Sequence, residues 1–260
     1  MAYIKEYWDD KDKRAQIAKE HTQEFAKKYI QEIAQCALDT TCYNPNTKFD
    51  IVNYSDDHIT PELVDLDSVS AIFTYKNSKK KMAVLNFASY KNPGGMFMEG
   101  SRAQEECLCH ASFLYNVLRE KHQYYYWNNE HKNRSMYMNR ALYSPKVIFE
   151  MDGESTPCDV ITCAAPNYSA ATQYYKMLKR DNEAVLRSRI KFALDIAQEN
   201  KVQILILGAY GCGVFGQDPK TVAKIFLEEL EGRPFEKVVF AIPDELGENH
   251  KAFKKVFKIK

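Results

Sequence analysis

Met82-Ala-Val-Leu-Asn-Phe-Ala-Ser-Tyr-Lys-Asn-Pro-Gly-Gly-Met-Phe-Met-Glu-Gly-Ser-Arg-Ala-Gln-Glu-Glu106 is the stretch on which the reading of this chain turns. The run from Met82 to Ala88 is short and apolar, which predicts a buried strand. Asn92-Pro-Gly-Gly95 ends it with loop chemistry. Leu108, Ala111, Phe113, Leu114, Val117 and Leu118 then recur at helical spacing. A strand thus feeds a glycine loop, and the loop feeds a helix whose first turn carries Gln104, Glu105 and Glu106. Backbone N–H groups in such a loop can approach an anion closely. Two adjacent carboxylates beside it point to chemistry next to a bound anion.

A second unit of the same kind follows. Val202-Gln-Ile-Leu-Ile-Leu207 is apolar on both faces, as a strand in the middle of a parallel or mixed sheet would be. It runs into Gly208-Ala-Tyr-Gly-Cys-Gly-Val-Phe-Gly216, and Asp218-Pro219 then suits the cap and first position of a helix. If the two strands are near neighbours, both loops line one cleft at the carboxyl ends of the strands. Two facing anion cradles suit a diphosphate better than a single phosphate. Neither loop is followed by the Lys-Ser or Lys-Thr of a P-loop, and the acidic ribose partner of a dinucleotide fold is not evident. Kinase-like and hydride-transfer chemistry are thereby disfavoured.

The remaining pattern supports alternating strands and helices. Residues 11–38 predict one long amphipathic helix, with His21 packed on its apolar face. Lys48–Tyr54 and Ala71–Tyr75 read as strands, rich in β-branched and aromatic residues. Asp56-Asp57-His58 reads as an acidic turn rather than a metal triad. Residues 121–145 read as a long, irregular, functional loop. Further strands are expected at 146–151, 158–163 and 237–242, and helices at 180–199, 219–230 and 249–257. The fold class is α/β, a three-layer α/β/α arrangement with helices on both faces of a sheet.

Composition sets the bounds. The net charge of +1 gives no bulk argument for nucleic acid or membrane. No apolar run reaches the length of a membrane helix, and the first residues carry no signal-peptide core, so a cytoplasmic protein is expected. Seven cysteines lack CxxC spacing and mostly sit in apolar runs, where they read as reduced, buried thiols.

Glu105 and Glu106 lie about 100° apart on a helix, so one can enter the cleft while the other points sideways. A carboxyl there, against apolar walls and a diphosphate, should hold its proton more tightly than usual. That would suit a general acid for glycosidic bond cleavage. The helix N-terminus opposes this by favouring the carboxylate.

Asn92-Pro-Gly-Gly-Met-Phe-Met-Glu-Gly-Ser-Arg-Ala-Gln-Glu-Glu106 resembles the signature of poly(ADP-ribose) glycohydrolases, a glycine triplet followed after a spacer by Gln-Glu-Glu. Cys107 to Tyr115, Gly208 to Gly216 and Arg14 to Thr22 resemble the microbial branch, so the resemblance runs from about residue 11 to the C-terminus. It implies a macrodomain with a mixed central sheet, spanning 46–260, and an N-terminal helical extension, 1–45, packed on it. It implies binding of ADP-ribose and hydrolysis of the ribose–ribose O-glycosidic bond of poly(ADP-ribose). By position Glu106 would be the general acid and base, and Glu105 would hydrogen-bond the ribose. Gln104 would support the catalytic loop, and Asn86 and Ser89 would help fix the distal ribose. Gly94, Gly95 and the backbone of Gly211, Cys212, Gly213, Val214 and Phe215 would hold the diphosphate, with the Phe215 ring against the distal ribose. No metal or other cofactor is implied. Expected partners are ADP-ribose or poly(ADP-ribose) on modified macromolecules, with no membrane or direct nucleic-acid binding, and a monomer. A non-catalytic reader of ADP-ribose, or a hydrolase of another ADP-ribosyl conjugate, are the alternatives. The triplet's third position is Met96 here, where a side chain is expected to crowd the ligand and to strain a turn that needs positive φ.

Overall fold

The computed structural model describes residues 9–51, 59–76 and 79–259. Its strands are β1 (Thr41–Tyr43), β2 (Glu62–Val64), β3 (Met82–Phe87), β4 (Ala141–Met151), β5 (Glu154–Cys163), β6 (Ile204–Leu207) and β7 (Lys237–Ala241). Among the described residues they form one sheet in the order β1-β4-β5-β3-β6-β7-β2. β3 lies parallel between β5 and β6, while β4 runs antiparallel to β5 and β1, so the sheet is mixed.

The central strands show why the chain builds three layers. Successive side chains on a strand point to opposite faces. Ala83 and Leu85 enter one core with Ile190, Leu194 and Phe226. Met82 and Val84 enter the other with Ile72, Leu108 and Leu114. β6 repeats this, with Leu205 and Leu207 in the first core and Ile204 and Ile206 in the second. A strand buried on both faces has no polar side to show, which is why both runs read as continuous apolar segments.

The second core is covered by α1 (Lys11–Lys28), α2 (Ile30–Asp39), α3 (Ser68–Tyr75), α4 (Gln104–His110), α5 (Leu114–Leu118) and α6 (His122–Glu130). α7 (Tyr168–Tyr175) follows β5. α8 (Lys179–Glu199), α9 (Pro219–Leu230) and α10 (Glu248–Phe257) cover the first core. Asp218 caps α9 by accepting from the Thr221 N–H, and Pro219 occupies its first turn, as the sequence indicates. Among the described residues no helix is long and apolar enough to cross a membrane.

Several local expectations differ from the structure. The helix over 11–38 is two helices broken at Tyr29, whose φ of −122° departs from helical values and whose hydroxyl bonds Glu150 of β4. Ala71–Tyr75 is helical. The Asp67 carboxylate caps α3 through the Ser70 N–H at 2.9 Å, and burial of Val69, Ile72 and Phe73 outweighs their strand preference. Residues 48–51 are not a strand; Phe49 is held by stacking on Tyr43 and by an edge contact with Phe192. Residues 52–54 and Asp56-Asp57-His58 lie outside the described residues. The stretch 121–145 contains α6, a tight turn at Asn133–Ser135 and the start of β4, rather than an unstructured loop.

Candidate active site

β3 and β6 are adjacent and parallel, paired through Val84↔Ile206. Their exits therefore leave the same edge of the sheet. The Phe87 and Tyr210 rings meet there at 5.6 Å, so the loop after β3 and the loop after β6 converge.

The Gln-Glu-Glu triplet opens α4, and its first two residues are anchored back to the end of β3. The Gln104 side chain accepts from the Phe87 N–H at 2.8 Å and donates to the Leu85 carbonyl at 2.9 Å and the Ser68 hydroxyl at 3.0 Å. It thus takes up backbone groups at the end of β3, beyond Val84, where pairing with β6 has stopped. Glu105 is buried and both of its oxygens are engaged. Oε1 accepts from Asn86 Nδ2 at 3.1 Å, and Oε2 from the Ser89 N–H at 2.6 Å. Burial pushes its carboxyl up to about 8, and the Ser89 N–H and the Asn86 amide oppose that rise. Asn86 is itself fully buried and also reaches Thr162 Oγ1 at 3.3 Å. The Ser89 hydroxyl accepts from the Lys91 and Asn92 N–H groups and so shapes the turn entering the loop.

Glu106 is arranged differently. Its Oε1 accepts from the Met96 N–H at 2.9 Å. Its Oε2 is buried and has no hydrogen-bond partner among the described residues, and the same holds for Asn86 Oδ1. Buried polar atoms without partners are rare, and in a cleft they mark where a ligand's donors can enter. The two carboxylates sit against Gly95, whose φ is +64°. A Cβ on that residue would collide with Glu106 Oε1 and lie 3.0 Å from Glu105 Oε2. Glycine is required at 95 on both counts.

Met96 does not strain the turn. Its φ is −115°, and the left-handed positions are Gly94 and Gly95. Its side chain is 49% exposed, so it forms part of the rim and the expected backbone penalty is absent.

The second loop presents backbone. Among the described residues the N–H groups of Gly213, Val214 and Phe215 make no hydrogen bond, and Val214 is 87% exposed at the tip. The loop is pinned at its base by Gln217, whose N–H donates to the Gly211 carbonyl at 3.0 Å. The Gln217 side chain donates to the Pro166 carbonyl and exchanges two hydrogen bonds with Asn182. Cys212 is partly buried, and burial pushes its thiol up to about 12, so it rests protonated at neutral pH.

Other site residues have no motif to announce them. Phe215 meets Tyr137 edge-on at 6.1 Å, and Tyr137 stacks on Tyr90 at 4.2 Å. Tyr137 reaches this place after a left-handed turn at Asn133, Arg134 and Ser135, with φ of 44°, 50° and 65°. The only sequence signal was the length and aromatic content of 121–145. Gly100 is the second glycine with a demanding position. Its φ is +75°, a Cβ would lie 2.9 Å from the Ala15 amide and collide with the Lys11 carbonyl, and Arg14 Nε donates to the Gly100 carbonyl at 2.7 Å. α1 therefore braces the turn that carries Met96 and Phe97. Phe97 packs against His110 at 4.6 Å and His21 at 6.2 Å, and burial holds both imidazoles down at about 4, neutral in ordinary buffers.

Comparison with known proteins adds a family to this geometry. Residues 7–151 match the catalytic domain of microbial-type PARG, poly(ADP-ribose) glycohydrolase. The crystal structure of the PARG from Thermomonospora curvata is 29% identical, covers 94% of this chain and 98% of its own, and superposes with a TM-score of 0.84. The same enzyme bound to the inhibitor ADP-HPD is 30% identical over 93% of this chain and 98% of its own, with a TM-score of 0.80. A mutant PARG from Deinococcus radiodurans in complex with ADP-ribose is 31% identical over 88% of this chain and 98% of its own, also with a TM-score of 0.80. A comparison with curated protein sequences finds no match.

Proposed function

This chain belongs to the microbial-type PARG family, and from that premise we propose that it hydrolyses the ribose–ribose O-glycosidic bond of poly(ADP-ribose) and releases ADP-ribose, with Glu106 as acid and base. The observation that carries the assignment is Glu106 itself: one oxygen held by the Met96 N–H, the other buried and unbonded. A carboxyl fixed by one oxygen has the other available to give a proton to the leaving ribose oxygen and then to take one from water. The developing oxocarbenium-like centre is attacked by that water from the Glu106 side.

Glu105 cannot do this as readily, because Asn86 and Ser89 occupy both of its oxygens. Its carboxyl sits at the edge of the ribose pocket and bonds a hydroxyl there. With its proton retained to about 8, it also adds little negative charge beside Glu106. Gln104 fixes the start of α4 relative to β3, so the two carboxyls move as one body with the strand. Asn86 and Ser89 act on the distal ribose. Gly94, Gly95 and the 211–215 backbone take the diphosphate, and Phe215, backed by Tyr137, lies against the distal ribose.

In this reading residues 1–45 are an extension that braces the catalytic turn through Arg14 and Gly100, and 46–260 are the catalytic core. The substrate is polymer carried on modified macromolecules, and the protein works as a monomer without direct nucleic-acid contact. Its seven unpaired thiols suit a reducing cytoplasm.

Incubating the protein with poly(ADP-ribose) and identifying the products tests the function. Free ADP-ribose with shortened polymer is expected. Binding of ADP-ribose with no release from any ADP-ribosylated substrate would make the protein a reader instead.

A further inference from the structure

Among the described residues Arg189 on α8 is the largest fully buried side chain, at 0% exposure. Arginine is almost never buried to that extent without a carboxylate partner. Here its partners are neutral: Nε donates to Asn139 Oδ1 at 2.8 Å, one terminal nitrogen to the Ala164 carbonyl, and the other to the Met136 carbonyl at 3.4 Å. Among the described residues no acid pairs with it. Asp195, the buried acid on the same helix, is already bonded to Lys191 and Arg233 at 2.7 Å each. The Arg189 charge reaches the phenols of Tyr90, Tyr137 and Tyr210 and the Cys163 thiol, all of which burial holds protonated and neutral. The hydrogen bonds therefore engage each of the three guanidinium nitrogens once but set no negative charge against the cation, an expensive arrangement for a protein interior.

The position of that charge is informative. Ala164 precedes Ala165, whose side chain closes on Gly211, and Pro166, whose carbonyl is held by Gln217. Arg189 thus lies one layer of chain behind the second glycine loop. Met136 and Asn139 flank Tyr137, so the same guanidinium fastens the segment that carries the ring behind Phe215.

We infer that Arg189 is a positioning residue that sets the diphosphate subsite, its buried charge answering the two negative charges of the ligand through the Ala164–Ala165 backbone. The inference rests on the reading that residues 211–215 hold a diphosphate. Field lines from a buried charge are weakly screened, so the effect follows the ligand's charge rather than its shape.

The test uses the full chain and three ligands measured by calorimetry: ADP-ribose, AMP and adenosine. Arg189→Gln should weaken ADP-ribose and AMP, which carry nearly the same negative charge at neutral pH, each about tenfold, and uncharged adenosine less than about twofold, whereas Arg189→Lys should stay within about threefold of wild type for all three. Should Arg189→Gln fail to fold, Asn139→Asp supplies an independent arm. It places a carboxylate on Nε, pairs the cation, and should weaken ADP-ribose while sparing adenosine. Equal loss on all three ligands, or an Asn139→Asp variant that binds ADP-ribose as tightly as wild type, would overturn the inference. A wild-type protein that binds adenosine but gains nothing from the diphosphate would overturn the assignment of the 211–215 loop, and the inference with it.

Discussion

Replacing Gly95 with alanine adds one methyl group at the point where the Gly94–Gly95 turn touches both carboxylates. Two costs follow, and the structure separates them. The backbone cost comes from φ of +64°, which a residue with a Cβ adopts at about 1–2 kcal/mol. In a chain of this size that lowers Tm by roughly 2–8 °C. The second cost is positional. The new Cβ would collide with Glu106 Oε1 and lie 3.3 Å from its Cδ, so the carboxyl must retreat by on the order of 1 Å to restore contact distance. A displacement of that size at a reacting group costs about 10²-fold in rate, or about 2.7 kcal/mol of barrier. Gly153→Ala isolates the first cost, because its φ is +78° and a Cβ there meets nothing within 4 Å. The assay is steady-state release of ADP-ribose from polymer, alongside thermal melts of both variants. Both should melt earlier, and only Gly95→Ala should lose kcat. If Gly95→Ala destabilises the protein yet keeps kcat within about threefold of wild type, Glu106 does not need the geometry described and the reasoning fails.

Three further outcomes are expected. Glu105→Gln should flatten the pH dependence of stability. The folded carboxyl sits at about 8 and its ordinary value is 4.5, so between these the unfolded chain gives up a proton that the folded chain keeps. Stability therefore falls as pH rises through that window, by at most about 1.4 kcal/mol per pH unit, and is level above it; superimposable Tm–pH curves for wild type and variant would contradict this. Gly100→Ala, with Ala15 N at 2.9 Å from the added carbon and φ of +75°, should push α1 off the turn that carries Met96 and Phe97 and cost about 2–4 kcal/mol, read as an early melt with reduced kcat. Met96→Gly should leave kcat on polymer within about threefold, because the N–H that holds Glu106 is retained. Any change should appear in the ratio of rates on polymer and on singly ADP-ribosylated protein, and an unchanged ratio would mark Met96 as neutral.

What the sequence discloses and what it hides follow from how local each determinant is. β3 and β6 are legible because burial on both faces leaves an uninterrupted apolar run, and the glycine loops are legible because turns need particular residues. α3 was hidden because the Asp67 cap and burial on one face overrode the strand preference of Ala71-Ile-Phe-Thr-Tyr75. The break at Tyr29 coincides with a hydrogen bond to Glu150, over a hundred residues away, and no local pattern signals it. The same holds in the site. Gln104, Glu105 and Glu106 stand out by spacing, but which oxygen of which glutamate is left unbonded is decided by the Met96, Ser89 and Asn86 contacts. Met96 was misleading for a related reason: the left-handed turn uses Gly94 and Gly95, and the third position has returned to ordinary backbone. Tyr137 and Arg189 come from segments with no motif, and only the assembled fold brings them behind the second loop.

The central claim is that the unbonded oxygen of Glu106 moves the proton. Glu106→Gln keeps the shape and an acceptor for the Met96 N–H while removing the acid. Release of ADP-ribose from poly(ADP-ribose) by this variant should fall about 10²–10⁴-fold, with affinity for ADP-ribose within about threefold of wild type. Release at the wild-type rate would contradict the account.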